Sequence, residues 1–121
     1  MVQVQDWPEL TKALGANLRE LRLGAPDVMK AFGTLASAAS AGNALDAKTK
    51  ELIALAVAVS ARCDDCIAFH VKAALDRGAT RDEILETLGV AIYMGGGPSV
   101  MYASHALAAY SQLSDAVKGA G

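Results

Sequence analysis

Between Thr87 and Ser114 the chain carries no Asp, Glu, Lys or Arg. An uncharged stretch of that length could span a bilayer, or it could lie inside protein. Gly95-Gly96-Gly97-Pro98 cuts it in two, and Tyr93, Tyr102, Ser104, His105 and Tyr110 interrupt its apolar character. The run therefore reads as two buried helices, with no membrane partner. The chain has 121 residues, 53% of them hydrophobic, and a chain this small has a poor ratio of volume to surface. Surplus apolar surface then implies burial against other copies. Ala103, Ala106, Ala108 and Ala109 give the last helix a small-residue face that permits close approach of a neighbour.

The rest of the chain reads as helices with clear punctuation. Met1 to Gln5 is a short extended lead. Asp6 can cap a first helix with Pro8 in its first turn. Leu10, Leu14, Leu18 and Leu21 recur at helical spacing, and Gly24 ends the pattern. Pro26 opens a second helix lined by Val28, Met29, Phe32, Leu35 and Ala36, which Gly42 stops. Asp46 caps a third helix that is apolar nearly all round after Glu51, the mark of a buried helix. A fourth runs from about Asp64 to Arg77, with Gly78 as its C-terminal stop. Thr80 and Glu83 form a capping box for a fifth, through Ile84, Leu88, Ala91 and Ile92. After the glycine turn a sixth runs from about Pro98 to Leu113, with a frayed tail at Gly119-Ala120-Gly121. No segment alternates, so no strand is expected. The fold class is all-α, one domain over 1–121, with about six helices.

The chemistry concentrates in one stretch, Glu51 to His70. It holds both cysteines of the chain and one of its two histidines. Cys63 and Cys66 are three residues apart, and His70 lies four beyond Cys66. On a helix, Cys66 and His70 share a face. Cys63 falls at or just before the first turn, where free N–H groups and about half a positive charge stabilise a thiolate. The charged residues Arg62, Asp64 and Asp65 end an apolar helix and suggest a tight αα-hairpin. Folding the chain there brings Glu51 near His70. The result is a relay from carboxylate to imidazole to thiol, with a second thiol beside it. An all-α chain offers no βαβ context for a thioredoxin-like reading of the CxxC.

Composition removes other classes. A formal net charge of −2 leaves no electrostatic footprint for nucleic acid. No basic N-terminal stretch leads into an apolar core, so no signal peptide is expected and the protein reads as cytoplasmic. In that compartment two cysteines suggest redox or metal chemistry more than a structural staple. Zinc is the main rival: Cys63, Cys66 and His70 could be joined by Glu51 or His105. Structural zinc usually draws four Cys or His ligands from two ligand pairs, so no metal and no other cofactor is expected. His105 reads as a packed or interface histidine. Gly95 to Gly97 lack the Lys-Ser/Thr of a phosphate loop, and a helix break explains them.

Taken together, Glu51, Cys63, Cys66 and His70, then Gly78-Ala79-Thr80, Glu83-Ile84 and Gly95 to Pro98, resemble the alkyl hydroperoxidase D and carboxymuconolactone decarboxylase-like superfamily. The match covers roughly Asp46 to Tyr110. The resemblance implies an all-helical domain that assembles as trimers or hexamers. It implies a thiol peroxidase or disulfide reductase that uses Cys63 and Cys66 as a redox-active disulfide. The decarboxylase branch lacks the cysteine pair. One departure stands out: the best-known peroxidase of the group has a histidine before its second cysteine, where this chain has Asp65. An anion there raises a neighbouring thiol pKa.

The expected mechanism assigns Cys66 as the thiolate that attacks a hydroperoxide, because His70 lies one turn along the same face. Cys63 then condenses with the sulfenic acid to give the disulfide. A thiol or dithiol reductant, or a partner protein, reopens it, and Cys63 is expected to be the exposed sulfur it meets. Glu51 orients and polarises His70, through a water if the two do not touch. Two other functions compete: a lyase acting on a small lactone acid with incidental cysteines, and a redox-sensing subunit whose disulfide alters partner binding.

Overall fold

The structure is a computed structural model that describes residues 5–120, so most of the expected N-terminal lead lies outside the described residues. Six α-helices make up the fold: α1 (Trp7–Gly24), α2 (Pro26–Ser40), α3 (Ala47–Ser60), α4 (Asp64–Asp76), α5 (Arg81–Gly95) and α6 (Gly97–Ala120). Among the described residues there is no strand, and the cysteine pair sits at the start of the fourth helix, as the sequence predicts.

The helix starts are where the capping residues place them. Asp6 accepts the Glu9 N–H at 3.1 Å, and Asp46 accepts that of Thr49 at 2.7 Å. The Thr80 capping box closes in both directions: the Glu83 N–H donates to Thr80 Oγ1, and the Thr80 N–H donates to Glu83 Oε1. Such a cap contributes about 1 kcal/mol. Lys48 at the start of α3 meets Glu83 at 2.7 Å and so ties α3 to α5. That contact first, and the Thr80 N–H second, hold the Glu83 carboxyl below its usual range.

Two helices end the same way. After α4, Gly78 takes the left-handed conformation at φ 83°, the Gly78 N–H reaches Leu75 O and the Ala79 N–H reaches Ala74 O. After α3, Arg62 does so at φ 58°, with Arg62 N–H to Val59 O and Cys63 N–H to Ala58 O. Both are Schellman motifs, which usually place glycine at the left-handed position. The expected break at Arg62 to Asp64 is therefore real, but its device carries no glycine signal.

The glycine turn is tighter than expected. Gly95 still belongs to α5 and Gly97 already to α6, so Gly96 alone makes the break, at φ 72° and ψ −152°. α6 also continues past Leu113 to Ala120, so Gly119 and Ala120 of the expected frayed tail are helical and only Gly121 lies outside the described residues.

Helix α4 lies at the centre, packed on α3, α6 and α1, and α5 closes the group against α3 and α6. Its buried Ile67, Ala68, Val71 and Ala74 meet a core that also holds Trp7, Leu55, Val59 and Ile84. Two expectations need correction here. Ala103, Ala106, Ala108 and Ala109 are buried within the chain's own core and offer no face to a neighbour. Being small, they let α6 approach α4 and α5. Conversely, α3, α5 and the start of α6 are not buried all round. Ile53, Val57, Val90, Tyr93, Met94 and Met101 face outward, and α2 buries no residue at all. The surplus apolar surface exists, but it lies on these outer faces.

Candidate active site

The α3–α4 hairpin builds the site. Cys63 closes the end of α3 through its N–H and caps the start of α4 through its sulfur, which accepts the Cys66 N–H at 3.2 Å. The sulfur takes the place that a serine or aspartate oxygen holds in an ordinary N-cap. Cys63 and Cys66 are joined in a disulfide, with Cα atoms 5.2 Å apart. A thiolate released here would face the N–H groups and positive end of α4. Asp64 and Asp65, in the same first turn, oppose it.

One turn along α4 from Cys66, His70 Nδ1 lies 2.8 Å from Glu51 Oε2. The contact is direct and needs no bridging water. A carboxylate only accepts, so Nδ1–H donates and Nε2 is left free. Glu51 is buried and His70 half-buried. Beside the pair lies a cavity of about 380 Å³, walled by Ala36, Ala39 and Ser40 of α2 and by Ile53 and Ala54 of α3. Lys50 stands at its edge, its ammonium donating to Ala41 O at 2.7 Å. The volume lies at the small end of the range for ligand pockets, and its lining is apolar apart from Ser40, Lys50 and the Glu51–His70 pair.

The hairpin thus brings Glu51 and His70 into contact, with Cys66 one turn before His70 on α4 and Cys63 at the N-cap of the same helix. Exposure runs opposite to expectation: Cys66 is exposed and Cys63 half-buried, because Cys63 is tied into the turn from both sides. His105 does not join this group. It belongs to a second pair, with Nδ1 2.8 Å from Asp64 Oδ1. Sequence reasoning missed Asp64 as a partner, since it read as one charge in a break. It also missed the α2 wall, because spacing says nothing of which helix lies beside the hairpin. Among the described residues no group of three or more His, Cys, Asp or Glu is arranged to hold a metal ion.

The sequence pattern of the carboxymuconolactone decarboxylase family matches residues 26–109, the span that contains the hairpin, the α2 wall and most of α6. The chain belongs to the carboxymuconolactone decarboxylase family. A family protein from Legionella pneumophila, solved in its apo form, is 49% identical and superposes with a TM-score of 0.87 over 89% of this chain and 96% of that one. Another, from Thermotoga maritima, carries a suggested involvement in antioxidative response; it is 30% identical, with a TM-score of 0.80 over 93% of this chain and 95% of its own. An uncharacterized protein of Cupriavidus necator is 45% identical over 105 residues, 87% of this chain and 89% of that protein. Within the family, then, this member carries a disulfide at a helix N-terminus beside a carboxylate–imidazole pair. No helix among its described residues is long and apolar enough to cross a membrane.

Proposed function

We propose that this family member is a thiol-dependent peroxidase and disulfide oxidoreductase that removes hydroperoxides through Cys63 and Cys66. The observation that carries the reading is the disulfide at the start of α4, one turn from the Glu51–His70 pair. In the reduced protein, His70 Nε2 takes the Cys66 proton and Glu51 stabilises the resulting imidazolium. The Cys66 thiolate attacks the outer oxygen of ROOH; the O–O bond breaks, the sulfur becomes a sulfenic acid, and RO⁻ takes up a proton to leave as ROH. The Cys63 thiol then displaces water from that sulfenic acid and forms the disulfide. A dithiol reductant returns two electrons and two protons. Because Cys66 is the exposed residue, the incoming thiolate attacks its sulfur and Cys63 departs as the leaving thiolate. The apolar cavity beside His70 suits the organic part of a hydroperoxide. The involvement suggested for the Thermotoga relative agrees with this chemistry.

The site would work in a reducing cytoplasm, where thiol donors are at hand, and in a homo-oligomer, a trimer or a hexamer, whose contacts cover the outer apolar faces of α2, α3 and α5. The test is steady-state peroxide consumption with a dithiol reductant, in the wild type and each cysteine variant. Turnover in the wild type and none in Cys66→Ser is the expected result. A disulfide that forms and opens with no peroxide consumed would replace the peroxidase by a redox-sensing subunit. Undiminished turnover in both cysteine variants would leave the cysteines incidental.

A further inference from the structure

The disulfide has a second histidine–carboxylate pair beside it, and the mechanism above does not use it. Asp64 follows Cys63 directly and is the first helical residue of α4. Its Oδ1 accepts from His105 Nδ1–H of α6 at 2.8 Å. The His105 ring is held on two further sides, by Tyr102 of α6 at 4.9 Å and by the buried Trp7 of α1 at 6.4 Å between ring centroids. Trp7 is itself pinned to α6, its backbone N–H donating to Gln112 Oε1 at 2.8 Å. His105 is half-buried, and its Nε2 takes no part in the Asp64 contact. Three elements thus converge to fix one imidazole on the acid next to Cys63. Asp65, the other acid of that turn, has no ion pair among the described residues.

Physical chemistry gives this arrangement a task. When the disulfide opens, the breaking S–S bond leaves its electron pair on Cys63 Sγ. The new thiolate competes for the positive end of α4 with the carboxylate next to it in the chain, and like charges so close disfavour one another. We propose that His105 is a positioning residue that binds and offsets the Asp64 carboxylate, so that Cys63 can depart as a thiolate. His70 with Glu51 then serves Cys66, and His105 with Asp64 serves Cys63. The proposal rests on the exchange step described above, but its readout needs no peroxide.

The test is the thiol–disulfide equilibrium of the full-length protein in glutathione buffers, with melting temperature recorded alongside. In His105→Leu the Asp64 carboxylate loses its hydrogen-bond donor. The ratio of reduced to oxidised protein should fall about tenfold, ~30 mV for a two-electron couple. Adding Asp64→Asn removes the charge itself and should restore the ratio, even if the melting temperature stays low. His105→Asn keeps a donor for Asp64 without the ring and should lie between. A His105→Leu equilibrium equal to wild type would overturn the proposal. So would a double variant that fails to recover, since a merely structural tether has that signature. If the wild type itself forms no reversible disulfide, the failure belongs to the proposed function.

Discussion

The imidazole of His70 can act as a base only through the nitrogen that Glu51 leaves free. Its Nδ1 is committed to a buried carboxylate at 2.8 Å, which fixes the tautomer and faces Nε2 away from Glu51. Glu51→Gln keeps the shape but removes the charge that stabilises the imidazolium, and His70→Phe removes the base. Both should slow alkylation of Cys66 in the reduced protein, by about 10²-fold or more if general-base assistance is of ordinary size. Both should also move the pH–rate profile upward within about pH 6 to 9, a range that brackets an ordinary thiol pKa. Alkylation that is unchanged in both variants across that range would remove the relay. Much of this pair was legible before any coordinates. The midpoint of residues 51 and 70 falls within a residue or two of the bend at Arg62, so a hairpin there brings the two near each other, and only the directness of the contact was open. The His105–Asp64 pair was not legible. It joins residues far apart in sequence on helices whose angle depends on packing, and no local spacing carries that information.

At the scale of elements, the junction of α5 and α6 separates three glycines that look alike in sequence. A Cβ on Gly95 would run into the buried Ser99 side chain, 2.9 Å from its Cβ. Gly96 holds a backbone conformation open essentially to glycine alone. Gly97 has open space around it and an ordinary helical place. Gly95→Ala and Gly96→Ala should each lose about 1–3 kcal/mol in urea denaturation, whereas Gly97→Ala should be near neutral. Equal losses at all three positions would contradict this division. The sequence marks the break but not which glycine makes it, because the requirement comes from the Gly96 backbone and from Ser99 in the first turn of the next helix. The turn between α3 and α4 teaches the converse. Arg62 fills a left-handed position without glycine's freedom, and the break showed only because charged residues ended an apolar run.

For the molecule as a whole, the unresolved quantity is apolar surface. Val28, Phe32 and Leu35 of α2, Ile53 and Val57 of α3, and Val90, Tyr93 and Met94 of α5 are all exposed, Tyr93 by 85%. Exposed apolar patches on this scale mark interaction surfaces, and homo-oligomers cover them by symmetric contacts. The surplus was legible from composition, yet its place was not. The alanines of α6 looked like an interface and turn out to be core. Met94→Glu should therefore shift light scattering toward smaller species while leaving helicity intact. Ala106→Glu should instead unfold the chain, because it puts a charge in the core. A stable monomer of the wild type at micromolar concentration, fully active, would set the assembly aside.

The proposed catalytic cycle stands or falls with the sulfur that meets the peroxide. The most direct measurement is mass spectrometry of the reduced Cys63→Ser protein after one equivalent of tert-butyl hydroperoxide, with a sulfenic-acid trap present. The account predicts the trapped adduct on Cys66, formed once and not turned over, since the resolving thiol is gone. It also predicts no adduct on Cys63 in the matching Cys66→Ser protein. An adduct on Cys63 in Cys66→Ser, with Cys66 left unmodified in Cys63→Ser, would contradict it.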